Sequence, residues 1–247
     1  MGRFFFKKFA VTQEKSAMKV NTDGVLLGAW CSLPSADGLD ESFKVMDVGT
    51  GTGVIALMVA QRLATSGVGA RITGIDPDSP SAEEAGDNFR ESPWCDNLES
   101  LPLSLREFQL SSTMKMDLIV SNPPYFNNSL KAPCSRRSNA RHTDNLSFNE
   151  LVDCSADLIS DRGTLSVILP IEAEREFVTI ACAKGFFMVR ICRVSTIEGD
   201  APKRVMLEFS RVSRGLINEE RLSVQKSPNG LFSDEYRKLT SNFYLKF

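Results

Sequence analysis

Asp47-Val48-Gly49-Thr50-Gly51-Thr52-Gly53 constrains this chain more than any other stretch. It lies between the apolar run 44–48, which reads as a strand, and residues 54–63, whose apolar positions recur at helical spacing. Glycine lets the backbone turn tightly and approach a ligand without a Cβ in the way. The helix that follows presents unpaired N–H groups and a positive dipole end, which suits an anion. A dinucleotide site normally reads G-x-G-x-x-G. Here the third glycine comes one residue early and Val54 takes the expected place. The G-x-G-x-G spacing therefore favours a ligand whose anion is a single carboxylate.

The rest of the chain fits an α/β architecture. Strands are predicted at 44–48, 71–75, 98–105, 117–121, 164–169, 186–194 and 205–209, the third weakened by Pro102. Helices are predicted at 54–63, 79–90, 148–159 and 171–183, with Ser147 and Glu150 at capping-box spacing. Alternating strands and crossover helices imply a doubly wound, mostly parallel, Rossmann-like sheet of seven strands. The last two strands lack an intervening helix, so they are expected to pair as an antiparallel hairpin at one edge. Residues 1–43 are expected to form an amino-terminal extension, and 44–247 a single globular domain.

Composition excludes several function classes. With 247 residues, 42% hydrophobic and 24% charged, the chain is long enough for one large core. A net charge of −2 argues against non-specific coating of nucleic acid and leaves room for a local basic face. Cysteines stand at 31, 95, 134, 154, 182 and 192 without CxxC spacing, and His142 is the sole histidine. Neither a zinc site nor a disulfide scaffold is expected; scattered thiols in a reducing cytoplasm fit better. No leader-like or membrane-spanning apolar run appears.

The second informative motif is Asn122-Pro123-Pro124-Tyr125, which follows the strand 117–121. The prolines fix φ and have no N–H, so loop carbonyls stay available as acceptors. With the Asn122 amide they can hold both hydrogens of an exocyclic amine, and Tyr125 can stack on the ring for roughly 1–3 kcal/mol. Such an amine is a poor nucleophile. Orientation, worth ~7–11 kcal/mol for well-placed reactants, is the main contribution to expect. Asp76, at the end of the strand 71–75, is placed to accept both hydroxyls of a ribose. Asp47 is placed either to orient the glycine turn or to meet an ammonium group. Together these motifs suggest methyl transfer from S-adenosylmethionine to a planar nitrogen.

The residues resemble the class I S-adenosylmethionine-dependent methyltransferases of the Asn-Pro-Pro-Tyr type. Phe9, Ala17-Met18-Lys19-Val20, the run from Thr22 to Trp30, Ser92-Pro93-Trp94, Ala140-Arg141 and Phe243-Tyr244-Leu245 are similar to the bacterial tRNA(Val) adenine-N6 methyltransferase family. The resemblance implies that Thr22-Asp23 folds over the cofactor, whose other expected contacts, read from the motifs above, are Asp47, Gly49, Thr50, Gly51, Gly53 and Asp76. It implies that Asn122 to Tyr125 hold a target adenine flipped from its stack, adenine 37 beside the anticodon. Two positions depart from the pattern: Ser104 stands where an acid beside the cofactor adenine is expected, and His142 where an aromatic follows Ala-Arg.

Lys131, Arg136, Arg137 and Arg141 form an acid-free basic stretch, and Lys7 and Lys8 interleave with Phe4, Phe5, Phe6 and Phe9. Both segments are expected near the mouth of the crevice, gripping tRNA phosphates. The phenylalanines either stack on bases or pack on the core. The chain is expected to act as a cytoplasmic monomer without metal. Competing readings are a glutamine-N5 protein methyltransferase, a guanine-N2 rRNA methyltransferase and a non-catalytic RNA-binding module. The first usually needs a helical substrate domain, for which 43 leading residues are too few.

Overall fold

The computed structural model describes residues 2–35, 42–124, 146–228 and 230–246. A hairpin of β1 (Arg3–Phe5) and β2 (Ala10–Thr12) leads into α1 (Thr22–Trp30). There follow β3 (Phe43–Val48), α2 (Val54–Thr65), β4 (Ala70–Ile75), α3 (Ser79–Arg90), β5 (Leu98–Leu101), α4 (Leu105–Ser111) and β6 (Met116–Ser121). Then come α5 (Phe148–Leu158), β7 (Ile159–Pro170), α6 (Glu174–Ala183), β8 (Phe187–Ile197), β9 (Arg204–Ser210), β10 (Asn218–Gln225) and α7 (Asp234–Thr240).

The main sheet has the order β10-β8-β9-β7-β6-β3-β4-β5. Only β9 runs against its neighbours, β7 and β8, as the missing crossover helix required. Apolar side chains of α1, α2, α3 and α7 cover one face and those of α4, α5 and α6 the other, forming two buried clusters. Covering both faces is what a parallel sheet demands.

Three features differ from the sequence expectation. Among the described residues the sheet has eight strands, because Asn218–Gln225 pairs in parallel with β8. Its polar, charged sequence hides it, as is common for edge strands that must resist pairing with another chain. The antiparallel strand β9 is consequently not at the edge: β8 and then β10 lie outside it. Third, the strand expected to reach residue 105 stops at Leu101, and Ser104 opens α4.

The amino-terminal segment belongs to the core. Phe6 stacks on Phe9 with ring centroids 4.6 Å apart and on Tyr244 at 6.0 Å, while Phe9 meets Trp94 edge-on. Phe6 and Phe9 are buried and only Phe5 is well exposed, which settles the aromatic run largely in favour of packing. Helix α1 lies close against α2 because a Cβ at Gly28 would come within 3.0 Å of Met58 Cβ. Both ends of α1 are tied to β9. Past its carboxyl end, the buried Glu208 carboxylate accepts from Ser32 N (2.6 Å) and Ser32 Oγ (2.7 Å), and also from Ser166 Oγ (2.9 Å). Near its amino end Asp23 accepts from Arg204 Nε at 2.8 Å. Arg190 covers the Trp30 ring at 4.1 Å and pairs with Glu220. Buried charge persists only when so partnered.

This packing predicts that Phe6→Ala lowers unfolding free energy by about 3–5 kcal/mol, whereas Phe5→Ala stays within ~0.5 kcal/mol. Urea denaturation measures both. Unchanged stability in Phe6→Ala would remove the hairpin from the core.

Candidate active site

The site forms where β3 and β6 end side by side. Val48 pairs with Ser121, and Ser121 Oγ donates to Val48 O at 2.9 Å. Gly49 and Asn122 therefore leave adjacent parallel strands, whose spacing is roughly 4.8 Å. The glycine turn and the Asn122 loop thus open onto the same crevice, at the carboxyl ends of the strands.

The turn itself is held by a buried carboxylate. Asp47 Oδ2 accepts from Thr50 Oγ1 at 2.8 Å and from Ala56 N at 3.2 Å. Gly49, Gly51 and Gly53 all have positive φ, and Gly53 sits at the start of α2 without a side-chain cap. A Cβ at Gly53 would fall 2.4 Å from Phe89 Cε1, so only glycine fits that close approach. At Gly49 an added Cβ would meet nothing within 4 Å, leaving room beside the backbone for a ligand.

Asp47 Oδ1 is buried without a hydrogen-bond partner, and burial raises the Asp47 pKa to about 7. An orphaned carboxylate oxygen at this point suits a cationic ligand group. Asp76 Oδ2 accepts from Gly51 N and its Oδ1 from Asp78 N, both at 3.0 Å; burial raises its pKa too. Asp76 thus braces the turn while standing partly open beside it.

The amino-terminal segment roofs this crevice. Asn21 caps α1 by accepting from Gly24 N at 2.8 Å. Gly24 lies against Val54, which brings the exposed Thr22 and the Arg204-bound Asp23 to the same end of the fold as the glycine turn. The Met18 carbonyl lies 4.0 Å from where a Gly51 Cβ would be, and Asn122 Nδ2 approaches Met18 Sδ at 3.8 Å.

Of the remaining expected residues, Ser104 and Lys7 have partners of their own and several lie outside the described segments. Ser104 is a helix cap: its hydroxyl donates to Glu107 Oε2 (2.7 Å) and accepts from Glu107 N (3.2 Å), so the local capping box engages it in both directions. Lys7 Nζ donates to Ser241 O at 2.6 Å. The neighbouring Asn242 carbonyl binds Gln61, well along α2 from the glycine turn. Lys7 thus lies against the carboxyl-terminal segment, and Lys8 beside it is exposed. Pro123 is buried and Pro124 exposed. Tyr125, Lys131, Arg136, Arg137, Arg141 and His142 lie outside the described residues.

Sequence reasoning missed Ser121, Met18 as a contact of Asn122, and Gly74. A Cβ at Gly74 would meet Thr50 Oγ1 at 2.8 Å, and a lone glycine inside a strand pattern was the available signal. Among the described residues no cluster of His, Cys, Asp and Glu could hold a metal, and no helix is long and apolar enough to cross a membrane.

The state of Asp47 predicts a pH dependence. Unfolded, its carboxyl releases its proton near the ordinary 3.8; folded, it holds it to about 7. Between these values the folded chain binds more protons, so Asp47 makes stability fall as pH rises through that window. Asp47→Asn should flatten the slope of the urea midpoint between pH 5 and pH 7. An unaltered slope would show that Asp47 is ionised throughout.

Comparison with known proteins agrees with this geometry. The family model described as a methyltransferase domain matches residues 45–136. The crystal structure of a predicted O-methyltransferase from Agrobacterium tumefaciens superposes with a TM-score of 0.63 over 90% of this chain and 96% of that one, at 17% identity, a likeness of fold alone. The tRNA1(Val) (adenine(37)-N6)-methyltransferase of Bacteroides fragilis is 42% identical over 244 residues, 98% of each chain. The protein of that name from Mannheimia succiniciproducens is 36% identical over 99% of this chain and 95% of its own. At this identity over nearly the full length, the chain belongs to the tRNA1(Val) (adenine(37)-N6)-methyltransferase family.

Proposed function

We propose that this chain transfers a methyl group from S-adenosylmethionine to the exocyclic N6 of an adenine in tRNA, adenine 37 of tRNA(Val). The observation that carries the reading is the emergence of Asn122 beside the glycine turn, from strands joined by Ser121 and Val48. The relatives' activity supports it, because a family spanning 98% of the chain shares that chemistry by name.

The cofactor supplies an electrophilic methyl group on a positively charged sulfur. Gly49 and Gly51 leave space for it, the uncapped start of α2 suits its carboxylate, and Asp47 Oδ1 suits its ammonium. Asp76 is the candidate acceptor for its ribose hydroxyls, with Thr22 and Asp23 closing over it. The Asn122 side-chain oxygen accepts one N6 hydrogen of the adenine, and a backbone carbonyl of the Asn122-Pro123-Pro124 loop accepts the other. These contacts turn the amine nitrogen toward the methyl and, by polarising its N–H bonds, push electron density onto that nitrogen. No strong base is needed, because the N6 proton becomes acidic once the methyl has arrived and passes to water. Tyr125 stacks on the flipped ring, and Lys131, Arg136, Arg137 and Arg141 hold the surrounding phosphates. We place the enzyme in the cytoplasm, acting as a monomer.

Asn122→Ala should lower kcat by roughly 10²–10³-fold, the range for removing one preorganised polar group, with cofactor affinity within about twofold. Single-turnover methylation and calorimetric titration of the cofactor measure these. Equal loss of both would mean that Asn122 shapes the cofactor site instead.

The identity of the product is tested by incubating the protein with total tRNA and labelled S-adenosylmethionine, followed by nucleoside analysis. N6-methyladenosine in a single tRNA species is expected. Labelled N2-methylguanosine in rRNA, or N5-methylglutamine in protein, would replace this reading with another nitrogen acceptor.

A further inference from the structure

The Met18 segment is held more firmly than a surface loop requires. The Gln13 side chain accepts from Val20 N at 2.8 Å, closing the loop at its base. The buried Glu84 of α3 accepts the backbone N–H groups of Glu14, Lys15 and Ser16, the last two at 2.8 Å. At the tip of this pinned loop Met18 is 47% exposed, so burial of apolar surface does not explain it. Its carbonyl faces the glycine turn and its sulfur faces Asn122 Nδ2 at 3.8 Å.

We infer that Met18 is a positioning residue for methyl transfer: its thioether sets which way the Asn122 amide faces. The inference rests on the adenine-N6 reading, in which the Asn122 oxygen must accept a hydrogen from the target amine. An Asn side chain carries a donor and an acceptor of nearly the same shape, and rotation by half a turn exchanges them. A flipped amide would present N–H groups to a substrate N–H and abolish the contact. A thioether sulfur accepts weakly and donates nothing. It therefore attracts Nδ2 and repels Oδ1. With Nδ2 on the sulfur, the oxygen is left on the opposite branch of the amide. The contact joins residues far apart in the chain, and the Glu84 and Gln13 bonds hold the sulfur in place to make it.

The test compares Met18→Leu, which keeps volume without the acceptor, with Met18→Gln, whose side-chain oxygen restores one. Met18→Leu should lower kcat about fivefold, the weight of one modest hydrogen bond, with the cofactor Kd within about twofold. Met18→Gln should recover most of that rate. The Asn122 side-chain amide protons should shift by NMR in Met18→Leu, in protein without RNA, while those of Asn88 stay. A wild-type kcat in Met18→Leu, or loss of rate and cofactor affinity together in both variants, would overturn the inference. If the wild type failed to methylate tRNA adenine but kept the Met18-dependent amide signal, the functional reading would fall and the orientation of Asn122 by Met18 would stand.

Discussion

The hydrogen bond from Ser121 to Val48, at the end of two central parallel strands, is the contact on which the site depends. It fixes the register in which β3 and β6 terminate, and therefore the spacing between the glycine turn and Asn122. Parallel register is strongly specified when both faces are buried, because a one-residue slip would turn every core side chain the wrong way. Val45, Val48, Leu118, Ile119 and Val120 are all buried here. The two halves of the chemistry are thus aligned by the packing of the sheet, and loop conformation has only to refine the distance.

Around that pair the molecule builds a roof from its first thirty residues. Their hold on the rest is electrostatic as much as apolar. Glu208, Glu220 and Arg190 hold the carboxyl end of α1, Arg204 holds its amino end, and Glu84 holds the loop before it. Each carboxylate meets several donors, the condition under which buried charge specifies geometry without a large penalty. Asp47 also meets two donors, but through Oδ2 alone. Its unpartnered oxygen is a local debt in polar satisfaction, placed where a cofactor ammonium fits.

Much of the fold was legible because its signals are local. Ser79–Arg90 appears with the bounds read from the sequence, and Ser147 caps α5 through Glu150 N as its spacing implied. The misreadings have physical causes. The strand expected through Ser104 stops short because Ser-x-x-Glu is a capping box, and both residues serve the start of α4. The strand β10 opens on the polar run Asn218-Glu219-Glu220-Arg221 and has only Leu222 and Val224 as apolar residues, since only one edge and part of one face are covered. Arg3 and Lys15, basic residues of the amino-terminal segment, pair with Glu91 beside α3 and with Glu83 on it. Charge alone does not reveal whether its partner is a phosphate or a neighbouring carboxylate.

Backbone chemistry was written in short stretches of residues: glycines that tolerate positive φ, prolines without a donor, strands alternating with helices. Those properties belong to a residue and its immediate neighbours, so they survive without knowledge of the fold, and they were enough to indicate an α/β methyl-transfer enzyme. What folding alone decided were relations across the chain. It put Asn122 next to Gly49, laid Met18 against Asn122 and near Gly51, and raised the Asp47 carboxyl by taking it out of water. Distance and dielectric are properties of the packed assembly, and no residue carries them before the sheet and its helices close.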